Sequence, residues 1–342
     1  MKPKILLITS GSKNKISHLA DSFQSLYGAK IIYGQEYAEK KFDRLLYFFK
    51  KGNVIKNKKS ISKKVLSEFN KNGIDLLITI KGLNISSKLL SYLKKENPKI
   101  KIFNWTCDDL FLKHNQTPDF LKSSKFYDLI YTSKSENLKN LELQKLGYKN
   151  IKFFYQRYSN KYHKPSKTKI EQVRYKVLFA GYAEEERFQY MNFLAKNGIE
   201  INVFGNGWDK YKYRLRRHNN LHIHYRPIIG EDYSQAIFSS EINLCFLRVL
   251  NRDIHTARSV EIPACGGFML AQRTNEHLEL FEEDTEAAYF SSKEECLSKV
   301  KSFLIDNKRR EEIANNGFLK TRRSEYSYDA MAKEMYEDYL KL

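Results

Sequence analysis

The stretch HTARSVEIPACGG (255–267) sets Arg258 and Glu261 three residues apart among small and apolar residues. An arginine offers a planar fork of donors suited to phosphate oxygens, and a glutamate can accept hydrogen bonds from two adjacent sugar hydroxyls. Thr256 is suited to capping a short helix whose first amides and positive end favour an anion. Pro263 is tolerated near a first turn, and Gly266-Gly267 ends the helix quickly. At i and i+3 the two charges also share a helix face, so a plain intrahelical ion pair worth about 0.2–0.5 kcal/mol is the alternative. His255, at the helix entrance, could contact a phosphate or a sugar, or be an ordinary surface histidine.

Other candidates follow strands. FAGYAEEERF (179–188) ends a strand at Gly181 and carries Arg187 into a helix. VFGNGW (203–208) ends a strand with Gly205, Asn206, Gly207 and Trp208, where glycine lets a ligand approach the backbone. Each turn is equally readable as punctuation. NWTCDDLF (104–111) places Asp108 and Asp109 after a hydrophobic run, either as a carboxylate able to take a proton from an attacking hydroxyl or as a helix cap with a solvated neighbour. Ser12 and His18, after the first strand, could face a second substrate; a surface histidine is the alternative for His18. None of these turns, nor TSGSKNK (9–15), makes a full Gly-x-Gly-x-x-Gly phosphate fingerprint, which argues against a nicotinamide dehydrogenase. No His, Asp or Glu cluster has metal-ligand spacing, so no metal is expected.

The elements that must position these residues alternate. KILLIT (4–9), AKIIYG, DLLITI (75–80), KIFNWT (101–106), DLIYTS (128–133) and IKFFYQ are strand-like runs, with amphipathic helices expected over 61–72 and 86–96. The polar stretch 159–174 then breaks the pattern as a linker. Alternation restarts with YKVLFAG (175–181), a helix over about 184–196, IEINVFGNG (199–207), LHIHY (221–225), a helix near 231–239 and EINLCFL (241–247). GFMLA (267–271), AAYFSS (287–292), two helices to about 318 and a last helix over 327–342 complete it. Such alternation specifies parallel sheets covered by helices, with ligands at the carboxyl ends of the strands. The expected domains are 1–165, a linker over 166–174, 175–325, and a final helix over 326–342 returning to the first domain.

From Tyr175 onward the chain resembles glycosyltransferases of the GT-B architecture, particularly the CgeB-like group. The likeness runs through the strand into "FAG…ER", FGNGW, INL, ARSVEIPACGGFML, LF and SSKEECLSKVKSFL. The first half resembles the same group through NWTCDDLF, residues 127–154 and YHKP (162–165). A fainter likeness is to the phage DNA β-glucosyltransferase. These resemblances imply two Rossmann-like α/β domains facing a central cleft. They imply a nucleotide-diphosphate sugar, UDP- or GDP-linked, as donor, with no cofactor or metal required. By resemblance Glu261 holds ribose hydroxyls, Arg258 and Arg187 meet the diphosphate, and Gly205 to Trp208 with Arg226 lie on the nucleotide side. Asp108 stands where an inverting enzyme keeps its general base, whereas retaining relatives carry a glutamate where this chain has Asp253.

Charge refines the expected partner. Residues 1–174 hold 36 Lys+Arg against 14 Asp+Glu, and residues 175–342 hold 24 against 26. The basic first half is either a solvated lysine surface or a face for an anionic glycan, a lipid-linked acceptor, a membrane surface or a nucleic acid. Its segment 40–59, mixing aromatic and basic residues, suits either an amphipathic membrane-surface helix or a core-facing helix with a lysine face. With no apolar run of membrane length and no signal pattern, a cytoplasmic protein is expected, peripheral at the inner membrane face. Four scattered cysteines suggest buried thiols. The expectation is sugar transfer to a hydroxyl of a cell-surface glycan or lipid-linked acceptor. The rivals are a DNA-modifying transferase acting on hydroxymethylated bases and a non-catalytic binding protein of the same fold.

Overall fold

The structure, a computed structural model, describes residues 2–9, 17–34, 58–165, 175–215 and 218–342. Ser12, most of the 40–59 segment and the 166–174 linker lie outside them. The chain divides into two compact units, one made of Met1–Tyr155 and Asp329–Leu342, the other of Gln156–Tyr328. The short stretch from Gln156 to Pro165, expected at the end of the first domain, therefore belongs to the second unit.

The first unit holds a six-stranded parallel sheet: β1 (Ile5–Thr9), β2 (Lys30–Tyr33), β3 (Leu76–Ile80), β4 (Lys101–Thr106), β5 (Leu129–Thr132) and β6 (Ile151–Phe153), in the order β2-β1-β3-β4-β5-β6. β1 is buried along its whole length, and four of the five residues of β3 are buried. That is why these strands read as continuous apolar runs instead of alternating ones. The Lys58–Asn72 helix packs Ile61 and Val65, and the Ser87–Glu96 helix packs Leu89, Leu90 and Leu93, into a core shared with Ile78's neighbours Leu77 and Ile102. The last helix, Tyr328–Leu340, lies almost wholly in this unit. Tyr336 stacks on Tyr27 with ring centroids 4.3 Å apart, Tyr131 donates to Asp338 (2.9 Å), and Lys152 pairs with Glu334 and Asp338.

The second unit repeats the plan with β7 (Tyr175–Ala180), β8 (Ile201–Phe204), β9 (Leu221–Ile223), β10 (Ser240–Cys245), β11 (Met269–Gln272) and β12 (Ala288–Phe290), ordered β12-β11-β10-β7-β8-β9 and again parallel. Its core gathers Val177, Phe179, Met191, Leu194, Ile201, Val203, Trp208, Ile242, Leu244 and Phe246. The chain runs outward from β7 through β8 to β9, then returns to place β10 on the other side of β7. Such a reversal opens a crevice at the carboxyl ends of the two strands that flank it.

Cys245, Cys265 and Cys296 are in no disulfide and are buried as expected. Among the described residues no helix is long and apolar enough to cross a membrane.

Candidate functional site

Two arginines meet beside the carboxyl ends of β7 and β10. Phe179, near the end of β7, lies beneath two guanidinium groups, with Arg187 and Arg258 at 5.7 Å and 5.9 Å from its ring centroid. Arg187 belongs to the Glu185–Lys196 helix and is 3% exposed. Its terminal nitrogens donate to the carbonyls of Tyr182 (2.8 Å), Leu247 (2.7 Å) and Phe246 (3.4 Å), which ties the loop after β7 to the one after β10. Burial first, and the neighbouring Arg258 second, pull its pKa down to about 10. The guanidinium expected at a diphosphate is thus clamped by backbone, and what it can offer a ligand is mainly its positive field.

Arg258 opens the short Arg258–Ala264 helix and is half-buried. It forms no ion pair with Glu261: its guanidinium donates to the Phe246 carbonyl (3.0 Å). The buried Nε–H groups of Arg258 and Arg187 have no acceptor among the described residues. Buried donors ordinarily have partners, so two side by side mark a place built for negative charge. Thr256 works one position earlier than a helix cap would: its hydroxyl accepts from the Arg258 N–H (3.1 Å), while Ala257 occupies the capping position with helical dihedrals.

Glu261 points the other way. Its Oε2 accepts from the Tyr233 hydroxyl (3.3 Å), and its Oε1 lies 3.8 Å from Nε2 of His163. Burial, then the carboxylate itself, raise the Tyr233 pKa, so this phenol stays a donor. His163 accepts the Ser159 N–H at Nδ1, and burial lowers its pKa to about 4, leaving a neutral ring with its proton on Nε2. The Glu261 side chain keeps 16% of its surface exposed.

The glycine turns serve the protein's own packing. A Cβ on Gly205, at φ +155°, would sit 1.9 Å from the Gly181 carbonyl oxygen, and one on Gly207, at φ +81°, would meet the Tyr182 ring at 2.9 Å. What approaches these backbones is the loop after β7. A Cβ on Gly181 would strike the Phe179 ring at 2.5 Å. Trp208, expected on the nucleotide side, is fully buried and donates to the Gly181 carbonyl (3.0 Å); its large ring completes the core. Asn206 and Arg226 are exposed.

His255 is not at the surface, and both of its ring nitrogens are engaged within the protein. It is 1% exposed, its Nε2 accepts the Gln156 N–H (2.9 Å), and its Nδ1 meets Glu276 at 2.5 Å. Beside it, Ser259 pairs with Nε2 of His277 (2.7 Å) and accepts the Thr256 N–H (3.0 Å), so two buried histidines buttress the approach to the short helix. Arg322 holds its other end, donating to the Ala264 carbonyl (3.3 Å) while lying over the Tyr158 ring.

In the first unit Asp108 and Asp109 separate. Asp109 is fully buried and accepts from the Phe111 N–H (3.0 Å) and Asn137 (2.8 Å); it closes the turn and is not open to an acceptor. Asp108 is half-buried at the carboxyl end of β4 and ion-paired with Lys81 at the end of β3, a lysine held at φ +65°. His18 opens the His18–Tyr27 helix and is half-buried. Asp253 accepts from Asn251 (2.8 Å) and lies close enough to favour the charge on Arg187.

Sequence reasoning missed Phe179, His163, Tyr233 and Lys81. Phe179, inside the FAG turn, and His163, inside YHKP, lay in quoted motifs without being singled out; Tyr233 and Lys81 are single residues brought in from elsewhere in the chain.

A family model described as "Glycosyl transferase-like" matches residues 187–337. No curated protein matches the chain significantly. Among solved structures the chain is similar to HepE of Anabaena in complex with UDP (14% identity, 99% of this chain and 100% of that one, TM-score 0.67). It is also similar to a sucrose-phosphate synthase of Thermosynechococcus elongatus (9%, 99% and 98%, TM-score 0.72) and to a glycosyltransferase of Rickettsia africae ESF-5 (11%, 99% and 98%, TM-score 0.63). At such low identity over whole chains, what is shared is the architecture: this protein has the GT-B fold.

Proposed function

We propose that the chain is a glycosyltransferase whose second unit binds a nucleotide-diphosphate sugar. The observation that carries this reading is the pair of guanidinium groups over Phe179, each with a buried N–H left without an acceptor, at the strand-order reversal of the second sheet. In this reading Arg258 faces the diphosphate, Arg187 supplies field from beneath, and Glu261, oriented by Tyr233, accepts from the ribose hydroxyls. Arg226, Asn206 and the backbone at Gly205 and Gly207 border the nucleotide. Arginine donors can offset the charge of the leaving diphosphate, so the reaction is written without a metal.

Asp108 is the proposed base, removing the acceptor proton as the hydroxyl oxygen attacks the anomeric carbon. Lys81, at the end of the neighbouring strand, is ion-paired with it. The acceptor is a hydroxyl of a surface glycan or lipid-linked precursor at the cytoplasmic membrane face. HepE is solved with UDP and with UDP-glucose, which makes UDP the first donor to try.

Calorimetry with UDP tests the donor assignment. Arg258→Ala removes charge-assisted bonds worth about 1.5–3 kcal/mol and should weaken binding roughly ten- to a hundredfold. Glu261→Gln should weaken it less. Unchanged affinity in both variants, with GDP and CMP also bound normally, would sink the assignment.

A further inference from the structure

We propose that the first unit carries a second anion site, remote in its elements from Asp108: a groove between the Ser87–Glu96 helix and the Pro118–Phe126 segment that takes phosphate-bearing ligands. The groove has a volume of about 620 Å³ and is lined by Lys88 and Lys95 on one side and Lys122 and Lys125 on the other, with Tyr92 and Phe126 among its walls. All four lysines are exposed, and none of them has a carboxylate partner among the described residues. Of the acids on the flanking segments, Asp119 pairs with Lys58 and accepts from Ser87, Asp128 pairs with Lys94, and Glu96, exposed at the last position of the helix, is not part of the groove lining. Four like charges converging on one concavity repel one another, and the local potential is uncompensated until an anion enters.

The spacing says what kind of anion. Lys88 and Lys95 are two helical turns apart, about 10 Å along the axis, and Lys122 and Lys125 face them from a separate segment. Two rows of ammonium groups suit a ligand carrying more than one negative charge along its length. Lysine acts as a point charge towards phosphate without requiring the bidentate geometry of arginine. Ser91, Ser124 and Tyr92 add hydroxyl donors, and the aromatic walls offer apolar contact to the portion between charges. The chemistry is that of a phosphate ester, whether on a lipid headgroup or on a soluble phosphorylated glycan. The site is independent of the donor reading.

The test uses the full-length protein with two probes, inorganic pyrophosphate and vesicles of phosphatidylcholine with phosphatidylglycerol, at fixed ionic strength. A variant with Lys88, Lys95, Lys122 and Lys125 all changed to Gln is compared with a control in which Lys59, Lys63, Lys64 and Lys71 are changed to Gln, removing the same charge from the adjacent Lys58–Asn72 helix. Loss of at least tenfold in binding in the groove variant, with less than threefold in the control, supports the site. Retention on vesicles alone then assigns the ligand to lipid headgroups, and binding of pyrophosphate alone assigns it to soluble phosphate esters. Equal losses in the two variants, no loss in either, or tighter binding of duplex DNA than of both probes overturns the proposal.

Discussion

The two units share a parallel sheet of six strands, yet they differ in how much charge they carry. The first half of the chain carries a large cationic excess, and its lysines are mostly exposed or paired at the rim, as with Lys94 and Asp128. The second half is nearly neutral and buries a few of its charged side chains, among them Arg187 at 3% exposure, Glu276 at 4% and Arg310 at 7%. Exposed charges are screened by water and salt, so they steer and gather ligands at little cost to stability. Buried ones hold fixed geometry but depend on every partner being in place. On the proposed function, one unit would collect an anionic partner and the other would orient the donor.

That contrast can be broken by experiment. The largest expected effect is on turnover. Asp108→Asn should lower transfer by roughly 10²–10⁴-fold, the usual contribution of general base catalysis, with donor affinity unchanged because donor binding is assigned to the other unit. A parallel loss of donor affinity would blur the division of labour.

Next comes Gly205→Ala. The added carbon would meet the Gly181 carbonyl oxygen at 1.9 Å with φ at +155°, so the β7 and β8 turns must separate. A loss of about 3 kcal/mol or more in chemical denaturation is expected. Gly28→Ala in the first unit also has a positive φ but meets nothing within 4 Å, and should lose only about 1 kcal/mol.

Acid should separate the units more gently. His163 and His277, both in the second unit, are held down to about 4 by burial, against about 6.5 when unfolded. Between those values the unfolded chain binds more protons. Stability is therefore complete above pH 6.5 and falls as the pH drops towards 4, by on the order of 2–3 kcal/mol for each histidine. In the first unit Glu68 and Asp119 have pKa values lowered by Lys30 and Lys58, so their contribution fades only below the ordinary carboxylate range. Denaturation series from pH 7 to 4, repeated with His277→Gln, should show the slope flattening in the variant. A slope unchanged by the substitution would contradict the burial argument.

The smallest effect belongs to the lysine surface. Lys63→Gln with Lys71→Gln, both exposed, should change stability by less than about 0.5 kcal/mol, read from the denaturation midpoint.

Most strands and helices were legible because their signals are local: nearly continuous apolar runs at β1 and β3, and a helical period over 184–196 that the Glu185–Lys196 helix matches. The site was legible in part. Arg258 and Glu261 stood out as charges in an apolar run, and their type suited phosphate and ribose. Their partners did not stand out, because His163 and Tyr233 lie 98 and 28 residues from Glu261 and only the packed unit brings them close. His255 shows the reverse failure: a helix entrance with a histidine fits a ligand contact locally, but Gln156, 99 residues away, and Glu276 claim both of its ring nitrogens.

The amino-acid sequence by itself determined the alternation of strand and helix, the uneven charge of the two halves and the presence of an arginine and a glutamate at one short helix, since each depends on residues close together in the chain. Only tertiary structure decided which polar groups would be available. Backbone carbonyls take up the terminal nitrogens of Arg187 and the indole N–H of Trp208, the Phe111 N–H and Asn137 take up the carboxylate of Asp109, and the Arg258 Nε–H is left without an acceptor among the described residues. Hydrogen-bond satisfaction is settled by neighbours in space, and those neighbours are not written in local order.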